Sequence, residues 1–297
     1  METQKDDKME LCKGLFKGIQ SLRTGGGAAF FGAAAALCCT TNIAMITKMS
    51  IKDEHFIDPL KKIGFDIYVQ HSAETTHMKV VYPTSNVDIR QIFQISSAGF
   101  FRIEDMPPIE PCLIHLGGLG DREFNLEFMK GLKERGFLLS IDIQSFIWDV
   151  DKDTGAIRYK DLQDKEEILH MIEIIKLDVA EAKALTGTDD PVKAASIIDD
   201  WGCSETIITN SKGVLAYKEG ERYFAEFSNK SVQGRTGRGD TTIGAYLARR
   251  INHSVEESVK FTAALVSIKM ETEGHFTGTI KDVLARMETT RCYSINQ

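Results

Sequence analysis

The sequence lacks several patterns that mark common classes of protein. None of its six cysteines forms a Cys-x-x-Cys pair, and most lie in apolar surroundings, which suits reduced, buried thiols better than disulfides or zinc ligands. The chain has no run of basic residues, and its formal net charge is −7. Both features argue against a nucleic-acid-binding surface. We therefore expect neither disulfides nor zinc, and no nucleic-acid partner.

A leucine-rich hydrophobic run is also missing. The longest compact apolar stretch, Gly25 to Cys39, consists largely of glycine and alanine and follows a charged, lysine-rich segment. The hydrophobic region of a signal peptide would contain leucine, whereas Phe30 to Ala36 is typical of a close-packed helix. We expect a cytoplasmic protein that has no contact with a membrane.

Strand and helix patterns alternate along the chain. With 297 residues, 42% of them hydrophobic, the sequence can bury the core of one large domain over residues 1–297. The predicted strands are Asn42–Thr47, Phe65–Gln70, Leu113–Leu116, Leu138–Ile143 and Thr206–Thr209. The predicted helices are Glu123–Arg135, Lys165–Ile175, Ala180–Leu185 and Pro191–Trp201. This alternation indicates a mostly parallel sheet between two layers of helices, a three-layer α/β/α sandwich.

Two hairpins interrupt this alternation. The first joins Met78–Tyr82 to Ile89–Ile95, and the second joins Val214–Tyr217 to Arg222–Phe227. An antiparallel pair inserted into an α/β protein must lie at a sheet edge or project from it. The first hairpin is therefore predicted to be a small β insertion at residues 76–97. Its exposed edge is a natural contact for a homodimer.

The segment from Gly234 to Thr242 places a carboxylate at the start of a helix, directly after closely spaced glycines. Apolar residues after Asp240 recur at helical spacing, so a helix with one buried face begins where the glycines end. The first amides of a helix and the positive end of its dipole attract phosphate, and Gly237 and Gly239 let the backbone approach it. The pattern predicts an anion hole with Asp240 beside it as the proton acceptor. The alternative is a plain turn in which Asp240 caps the helix.

The stretch Arg235-Thr236-Gly237-Arg238-Gly239-Asp240-Thr241-Thr242 resembles the C-terminal signature of the ribokinase and phosphofructokinase-B (PfkB) family of carbohydrate kinases, usually Asp-Thr-x-Gly-Ala-Gly-Asp-x-Phe. The resemblance implies a ribokinase-like fold. It also implies an ATP- and Mg²⁺-dependent kinase that phosphorylates a hydroxyl of a sugar, polyol or similar small alcohol, with Asp240 as general base. In this mechanism the amides of Gly237, Arg238 and Gly239 stabilise the transferred phosphoryl group. Arg235 and Arg238 depart from the family pattern, and a cation near a triphosphate is electrostatically sensible.

Further landmarks of the family concern the substrate. Gly25-Gly26-Gly27 is similar to the family's N-terminal Gly-Gly motif, which implies that the backbone of Gly26 and Gly27 approaches the sugar; tight helix packing is the alternative. Asp88-Ile89-Arg90 matches an Asp-x-Arg on the strands that form the family's lid. This match implies that Arg90 reaches the substrate, whereas a surface hairpin is the plain alternative.

Two further landmarks concern the metal and the phosphate donor. Asp178-Val179-Ala180-Glu181 stands in the place of the family's Asn-x-x-Glu and implies that Glu181 holds magnesium through water; the same spacing is a helix capping box, and the two roles are compatible. The turn from Thr209 to Gly213 follows a strand, as the family's nucleotide-contacting turn does, although a plain turn into a hairpin would look the same. The residues expected to bind the donor are therefore Thr209, Ser211, Gly213, Arg235, Thr236, Gly237 and Gly239.

Two features of the family are absent. The family opens with a strand that ends in a sugar-binding Asp, but Leu11 to Leu22 contains no acidic residue, and Ala28 to Phe31 stands where the family has an Asn. These departures leave open a catalytically weak relative that binds sugar or nucleotide and acts as a regulator. A dinucleotide-dependent oxidoreductase is disfavoured, because no Gly-x-Gly-x-x-Gly follows the first predicted strand.

Overall fold

A computed structural model describes residues 27–64, 66–81, 91–121 and 123–295. The strands are β1 (Ala44–Met49), β2 (Asp66–His71), β3 (His77–Val81), β4 (Gln91–Ser96), β5 (Leu113–Leu116), β6 (Leu138–Asp142), β7 (Trp148–Val150), β8 (Ile157–Tyr159), β9 (Ile174–Asp178), β10 (Glu205–Thr209), β11 (Gly213–Lys218), β12 (Glu221–Glu226) and β13 (Cys292–Ser294). The α-helices are α1 (Ala33–Ala36), α2 (Asp58–Ile63), α3 (Leu126–Glu134), α4 (Gln144–Ile147), α5 (Lys165–His170), α6 (Val179–Thr186), α7 (Pro191–Asp200), α8 (Arg238–Arg250), α9 (Val255–Met270) and α10 (Ile280–Thr289). A π-helical turn, Ala28–Gly32, precedes α1, and a 3₁₀-helix, Ile51–Ile57, precedes α2.

A seven-stranded mixed sheet lies at the centre, in the order β13-β12-β11-β10-β9-β6-β5. The strands β5, β6, β9 and β10 run parallel, as predicted from the alternation of strands and helices. The predicted second hairpin is confirmed as β11 and β12, and it extends the sheet in antiparallel fashion towards β13. The strands β1 and β2 form a separate parallel pair.

Side chains of the central strands alternate between two hydrophobic cores. On β10, Ile208 packs into the core that contains α6 and α7, while its neighbour Ile207 packs into the core that contains α8 and α9. Leu215 and Val214 on β11 divide in the same way. Because successive residues of a strand point to opposite faces, both faces of the sheet are covered by helices. This is the predicted three-layer arrangement.

One predicted helix is wrong in its second half. The helical spacing predicted over Lys165–Ile175 ends at His170, and strand β9 begins at Ile174. β9 lies between β6 and β10, so both of its faces are buried. A strand of this kind is a continuous apolar run without alternation, and its spacing does not distinguish it from the end of a helix.

The two strands predicted within residues 76–97 are confirmed as the antiparallel pair β3 and β4. Its outer strand is partly covered by a second small hairpin, formed by β7 and β8. The amide of Gln94 donates to the carbonyl oxygen of Gly155 over 2.8 Å, and Phe93 forms a bridge with Ala156. A homodimer through this insertion stays a prediction.

Five cysteines lie in the described ranges, all as free thiols. Of these, only Cys203 is buried as expected; Cys38, Cys39 and Cys292 are partly buried, and Cys112 is exposed. Within the same ranges, no helix is both long and apolar enough to cross a membrane.

Candidate active site

Polar side chains collect where the parallel strands end. The carboxyl ends of β5, β6, β9 and β10 lie at one edge of the sheet, so that Asp142 lies opposite Lys176, and Thr209 lies opposite Asp178. His115, on β5, completes the row, and burial lowers its pKa to about 4. In α/β proteins, ligands bind outside this edge of the sheet.

The predicted glycine loop leads into helix α8. Gly237 has a φ of 80°, a left-handed conformation that favours glycine, and a Cβ at this position would lie 2.4 Å from the ring of Phe31. The amide of Thr241 donates to the carbonyl oxygen of Gly237 over 2.9 Å and closes the first helical turn. Asp240 therefore lies half-buried in the first turn of a long helix, at the positive end of its dipole.

The structure differs from the predicted anion hole at Arg238. Its amide donates to the carbonyl oxygen of Arg235 over 3.1 Å, so this N–H is engaged within the loop itself. The guanidinium group lies 6.0 Å from the ring centroid of Phe227. Of the three amides predicted to bind phosphate, that of Arg238 is used to shape the loop.

A buried lysine, missed by the sequence analysis, lies against the loop. Lys176 is only 4% exposed, and a Cβ on Gly239 would lie 2.8 Å from its Nζ. Its Nζ donates to Oδ2 of Asp142 over 2.8 Å and lies 3.8 Å from Oε2 of Glu181. The signal was present, because Lys176 is the only charged residue inside the apolar run Ile174–Leu177, which precedes the capping box at Asp178.

The carboxylates around Lys176 keep it charged. Burial disfavours the ammonium form, but the negative charges of Asp142, Glu181 and Asp178 outweigh this effect and raise the pKa of Lys176. A fixed positive charge therefore lies beside the start of α8.

Glu181 forms the predicted capping box. The amide of Asp178 donates to Oε2 of Glu181 over 2.7 Å, and the amide of Glu181 donates to Oδ1 of Asp178 over 2.9 Å. The second carboxylate oxygen of Glu181, Oε1, is buried and accepts no hydrogen bond from the described residues. Burial raises the pKa of this carboxyl, the charge of Asp178 adds to the rise, and Lys176 opposes it.

A second buried lysine, Lys269, holds the other end of the loop. Its Nζ donates to the carbonyl oxygens of Gly234 and Thr236, and it lies 5.0 Å from the ring centroid of Phe31. Burial lowers the pKa of Lys269 to about 8, while the charge of Asp240 opposes the shift. Thr236, one of the residues predicted to bind the donor, thus has its carbonyl oxygen bound by Lys269.

The turn from Thr209 to Gly213 closes a hairpin. The hydroxyl of Thr209 donates to the carbonyl oxygen of Leu177 over 3.4 Å, and the amide of Gly213 donates to Oδ1 of Asn210 over 2.9 Å. A Cβ on Gly213 would lie 2.2 Å from the carbonyl oxygen of Ala225. Ser211 is exposed. Thr209 and Gly213 are thus placed by the hairpin, and Ser211 is the residue of the three that faces solvent.

The N-terminal glycine motif is described in part. Gly27 has a φ of 76° and begins the π-helical turn, and a Cβ on it would lie 2.8 Å from the side chain of Leu119. A Cβ on Gly244 of α8 would lie 2.1 Å from the carbonyl oxygen of Gly32, so the turn packs closely on that helix. Gly26 and Arg90, both predicted to bind substrate, lie outside the described residues.

Comparison with known proteins agrees with this arrangement. Residues 116–281 match the model of the pfkB family of carbohydrate kinases. The structure is similar to that of a pyrophosphate-dependent kinase of the ribokinase family in complex with sulfate, with 31% identity, a TM-score of 0.82, and coverage of 91% of this chain and 94% of that chain. It is also similar to a pyrophosphate-dependent kinase of the ribokinase family complexed with a pyrophosphate analogue and myo-inositol, with 30% identity, a TM-score of 0.80, and coverage of 91% and 95%.

A third relative is the cytidine kinase of Thermococcus kodakarensis, which is 36% identical over 85 residues. These residues make up 28% of this chain and 31% of the relative, so the match spans about a third of that protein. The ribokinase-like fold predicted from the glycine loop is confirmed by the structural similarity. The family match covers more than half of the chain and includes the glycine loop with Asp240, so the chain belongs to the pfkB family of carbohydrate kinases.

Proposed function

We propose that the protein transfers a phosphoryl group from pyrophosphate to a hydroxyl of a small polyol, with a cyclitol such as myo-inositol as the leading acceptor. The observation that carries the proposal is the placement of Asp240 and Gly239 in the first turn of α8, beside the buried ammonium of Lys176. This arrangement combines a base, a helix terminus and a fixed positive charge. Each of the three promotes phosphoryl transfer: the base accepts the proton of the acceptor hydroxyl, and the helix terminus and the positive charge stabilise the transferred group.

In the proposed reaction, Asp240 accepts the proton of the acceptor hydroxyl. The hydroxyl oxygen forms a bond to phosphorus as the bond from phosphorus to the bridging oxygen breaks, and inorganic phosphate leaves. The Gly239 amide and the helix dipole stabilise the negative charge on the transferred group. The products are one phosphomonoester and one inorganic phosphate.

Two arguments favour pyrophosphate over the ATP expected from the resemblance. Pyrophosphate has no base or ribose, so its binding free energy must come from charges and amides around its phosphate groups. Arg235 and Arg238 lie in the glycine loop, and the ammonium of Lys176 on β9 lies beside Gly239 of the same loop, which gives this region three positive charges. In addition, two relatives that align over nine-tenths of this chain, at 30% and 31% identity, are pyrophosphate-dependent kinases.

Magnesium fits the site through water. The buried Oε1 of Glu181 accepts no hydrogen bond from the described residues, so it can accept one from a metal-bound water. No cluster of three His, Cys, Asp or Glu residues that could hold a metal occurs in the described ranges. The remaining ligands of Mg²⁺ would therefore be donor oxygens and water. When bound, the ion would neutralise charge on the donor.

A matrix of donors and acceptors tests the proposal. Initial rates would be measured with pyrophosphate or ATP against myo-inositol, ribose and cytidine, each with Mg²⁺, by following the release of phosphate or ADP. We expect acceptor-dependent phosphate release from pyrophosphate, highest with the cyclitol. Turnover with ATP but not with pyrophosphate would refute the assignment of the donor. Turnover with ribose or cytidine but not with myo-inositol would refute the assignment of the acceptor. Binding without any turnover would favour the regulatory alternative.

A further inference from the structure

Lys176 is an unusual residue for its place in the fold. It lies on β9, an interior strand of the central sheet, and is 4% exposed. Its neighbours Ile175 and Leu177 are fully buried on the opposite face. A buried ammonium group is costly unless it is paired, and a methionine of similar length would avoid the cost. The position therefore calls for an explanation beyond packing.

The pairing of Lys176 is incomplete. An ammonium group has three N–H donors, and among the described residues one of them is accepted, by Oδ2 of Asp142 at 2.8 Å. Oε2 of Glu181, at 3.8 Å, is too distant for a hydrogen bond and is already used by the amide of Asp178. The carboxylates thus hold the charge in place and leave hydrogen-bonding capacity for another acceptor.

The ammonium of Lys176 lies beside Gly239, where the glycine loop carries no side chain. A Cβ at position 239 would lie only 2.8 Å from Nζ, so the ammonium would have to move away from this position. Gly239 therefore serves two purposes: it opens the start of α8 to an anion, and it gives the ammonium a place beside that opening.

We propose that Lys176 is a catalytic residue that contacts the transferred phosphoryl group beside the amide of Gly239, and that Asp142 positions it. This inference rests on the proposed function in one respect, that phosphoryl transfer takes place at the start of α8. Lys176 gives up no proton in the reaction. Its charge offsets the negative charge that develops on the phosphoryl oxygens, as preorganised donors do in other transfer reactions.

The test compares wild type with Lys176→Met and with a matched control, Lys133→Met. Lys133 also donates to a carboxylate, Oε1 of Glu173 at 2.8 Å, but it lies on α3, away from the glycine loop. We expect Lys176→Met to lower kcat by a factor on the order of 10² to 10³, the range for loss of one preorganised donor. The KM for the donor should rise, the KM for the acceptor should stay within about twofold, and Lys133→Met should keep wild-type kinetics.

A second variant guards against a folding defect. Lys176→Met alone leaves the buried Asp142 without its partner, which can destabilise the fold, whereas Lys176→Met/Asp142→Leu removes both charges. We expect the double variant to fold with near wild-type stability and to remain inactive. Recovery of turnover in the double variant would overturn the proposal, since Lys176 would then serve only to neutralise Asp142.

Calorimetric titration of pyrophosphate, without acceptor, separates this inference from the proposed function. We expect wild type and Lys133→Met to bind pyrophosphate, and the double variant to bind it at least about tenfold more weakly. Equal affinities would overturn the role of Lys176 even if the enzyme proves to be a kinase. If turnover occurs with ATP instead, the donor assignment fails, and the same comparison is made with MgATP. A wild type that binds neither compound would overturn both proposals.

Discussion

At the scale of single residues, Asp240 carries the chemistry of the proposed reaction. Asp240 lies in the first turn of α8, directly after the glycine loop. Asp240→Asn keeps the shape and removes the base, so kcat should fall by a factor on the order of 10² to 10⁴ while donor affinity is retained. Steady-state kinetics and donor titration check this, with the exposed Asp58→Asn as the control. A variant with wild-type kcat would show that another group accepts the proton.

Glu181 combines a helix cap with the proposed magnesium contact. Glu181→Gln can keep the capping hydrogen bond from the amide of Asp178 but loses the charge. We expect it to need a higher magnesium concentration for half-maximal activity. If the magnesium dependence does not change, Glu181 is a cap only.

Glu181→Gln should also change how the free energy of unfolding depends on pH. Because the folded state raises the pKa of Glu181 from its ordinary value of 4.5 to about 8, the folded protein binds more protons than the unfolded chain between these two pH values. The free energy of unfolding should therefore fall as the pH rises through this window. Glu181→Gln should reduce that fall, which urea denaturation at several pH values measures.

The lowered pKa of Lys269 leads us to expect that activity declines at alkaline pH. Its folded-state pKa of about 8 lies below its ordinary value of 10.5, so the unfolded chain binds more protons between these values. Loss of the proton therefore favours folding as the pH rises from 8 to 10.5, yet it weakens the ammonium contacts to Gly234 and Thr236. We expect kcat of the wild type to decline above about pH 8. Lys269→Arg stays charged, so a profile of this variant with the same decline would contradict the assignment.

At the scale of elements, the π-helical turn Ala28–Gly32 and helix α8 form the scaffold of the loop. Their contact depends on glycine, since a Cβ on Gly244 would lie 2.1 Å from the backbone oxygen of Gly32. Gly244→Ala should destabilise the protein by about 1 to 3 kcal/mol, as overpacking does. Gly131→Ala is the matched control, because the atoms nearest to its Cβ belong to the side chain of Ile103, at 2.9 Å and beyond, and not to backbone. Urea denaturation that finds the two variants equally stable would contradict this account.

The elements also show where sequence patterns succeed. The capping box at Asp178 and the second hairpin both depend on neighbouring residues, and both are confirmed. Strand β9 was missed because its identity depends on β6 and β10 on either side of it. The loss matters for function, since β9 carries Lys176. A charged residue inside an apolar run that precedes a capping box indicates a functional side chain. Hydrophobic spacing alone does not identify such a residue.

At the scale of the whole molecule, the order of strands joins distant parts of the chain into one site. Lys176 and Gly239 are 63 residues apart in the chain, and they meet only because β9 ends beside the start of α8. Asp142 reaches Lys176 because β6 and β9 are neighbours in the sheet although they are not consecutive in the chain. Motifs in the sequence predicted the base and the glycine loop. The lysines that surround the loop required the packing of the complete fold.

The proposed transfer of a phosphoryl group from pyrophosphate to an alcohol yields two products, and ³¹P NMR of the complete reaction distinguishes both of them from the donor. Pyrophosphate, myo-inositol and Mg²⁺ would be incubated with wild type and with Asp240→Asn. We predict that the pyrophosphate signal decays in the wild-type sample as one inorganic phosphate and one phosphomonoester appear in equal amounts, and that Asp240→Asn is nearly inert. Two inorganic phosphates without an ester, or no change in pyrophosphate while ATP supports ester formation, would contradict the account.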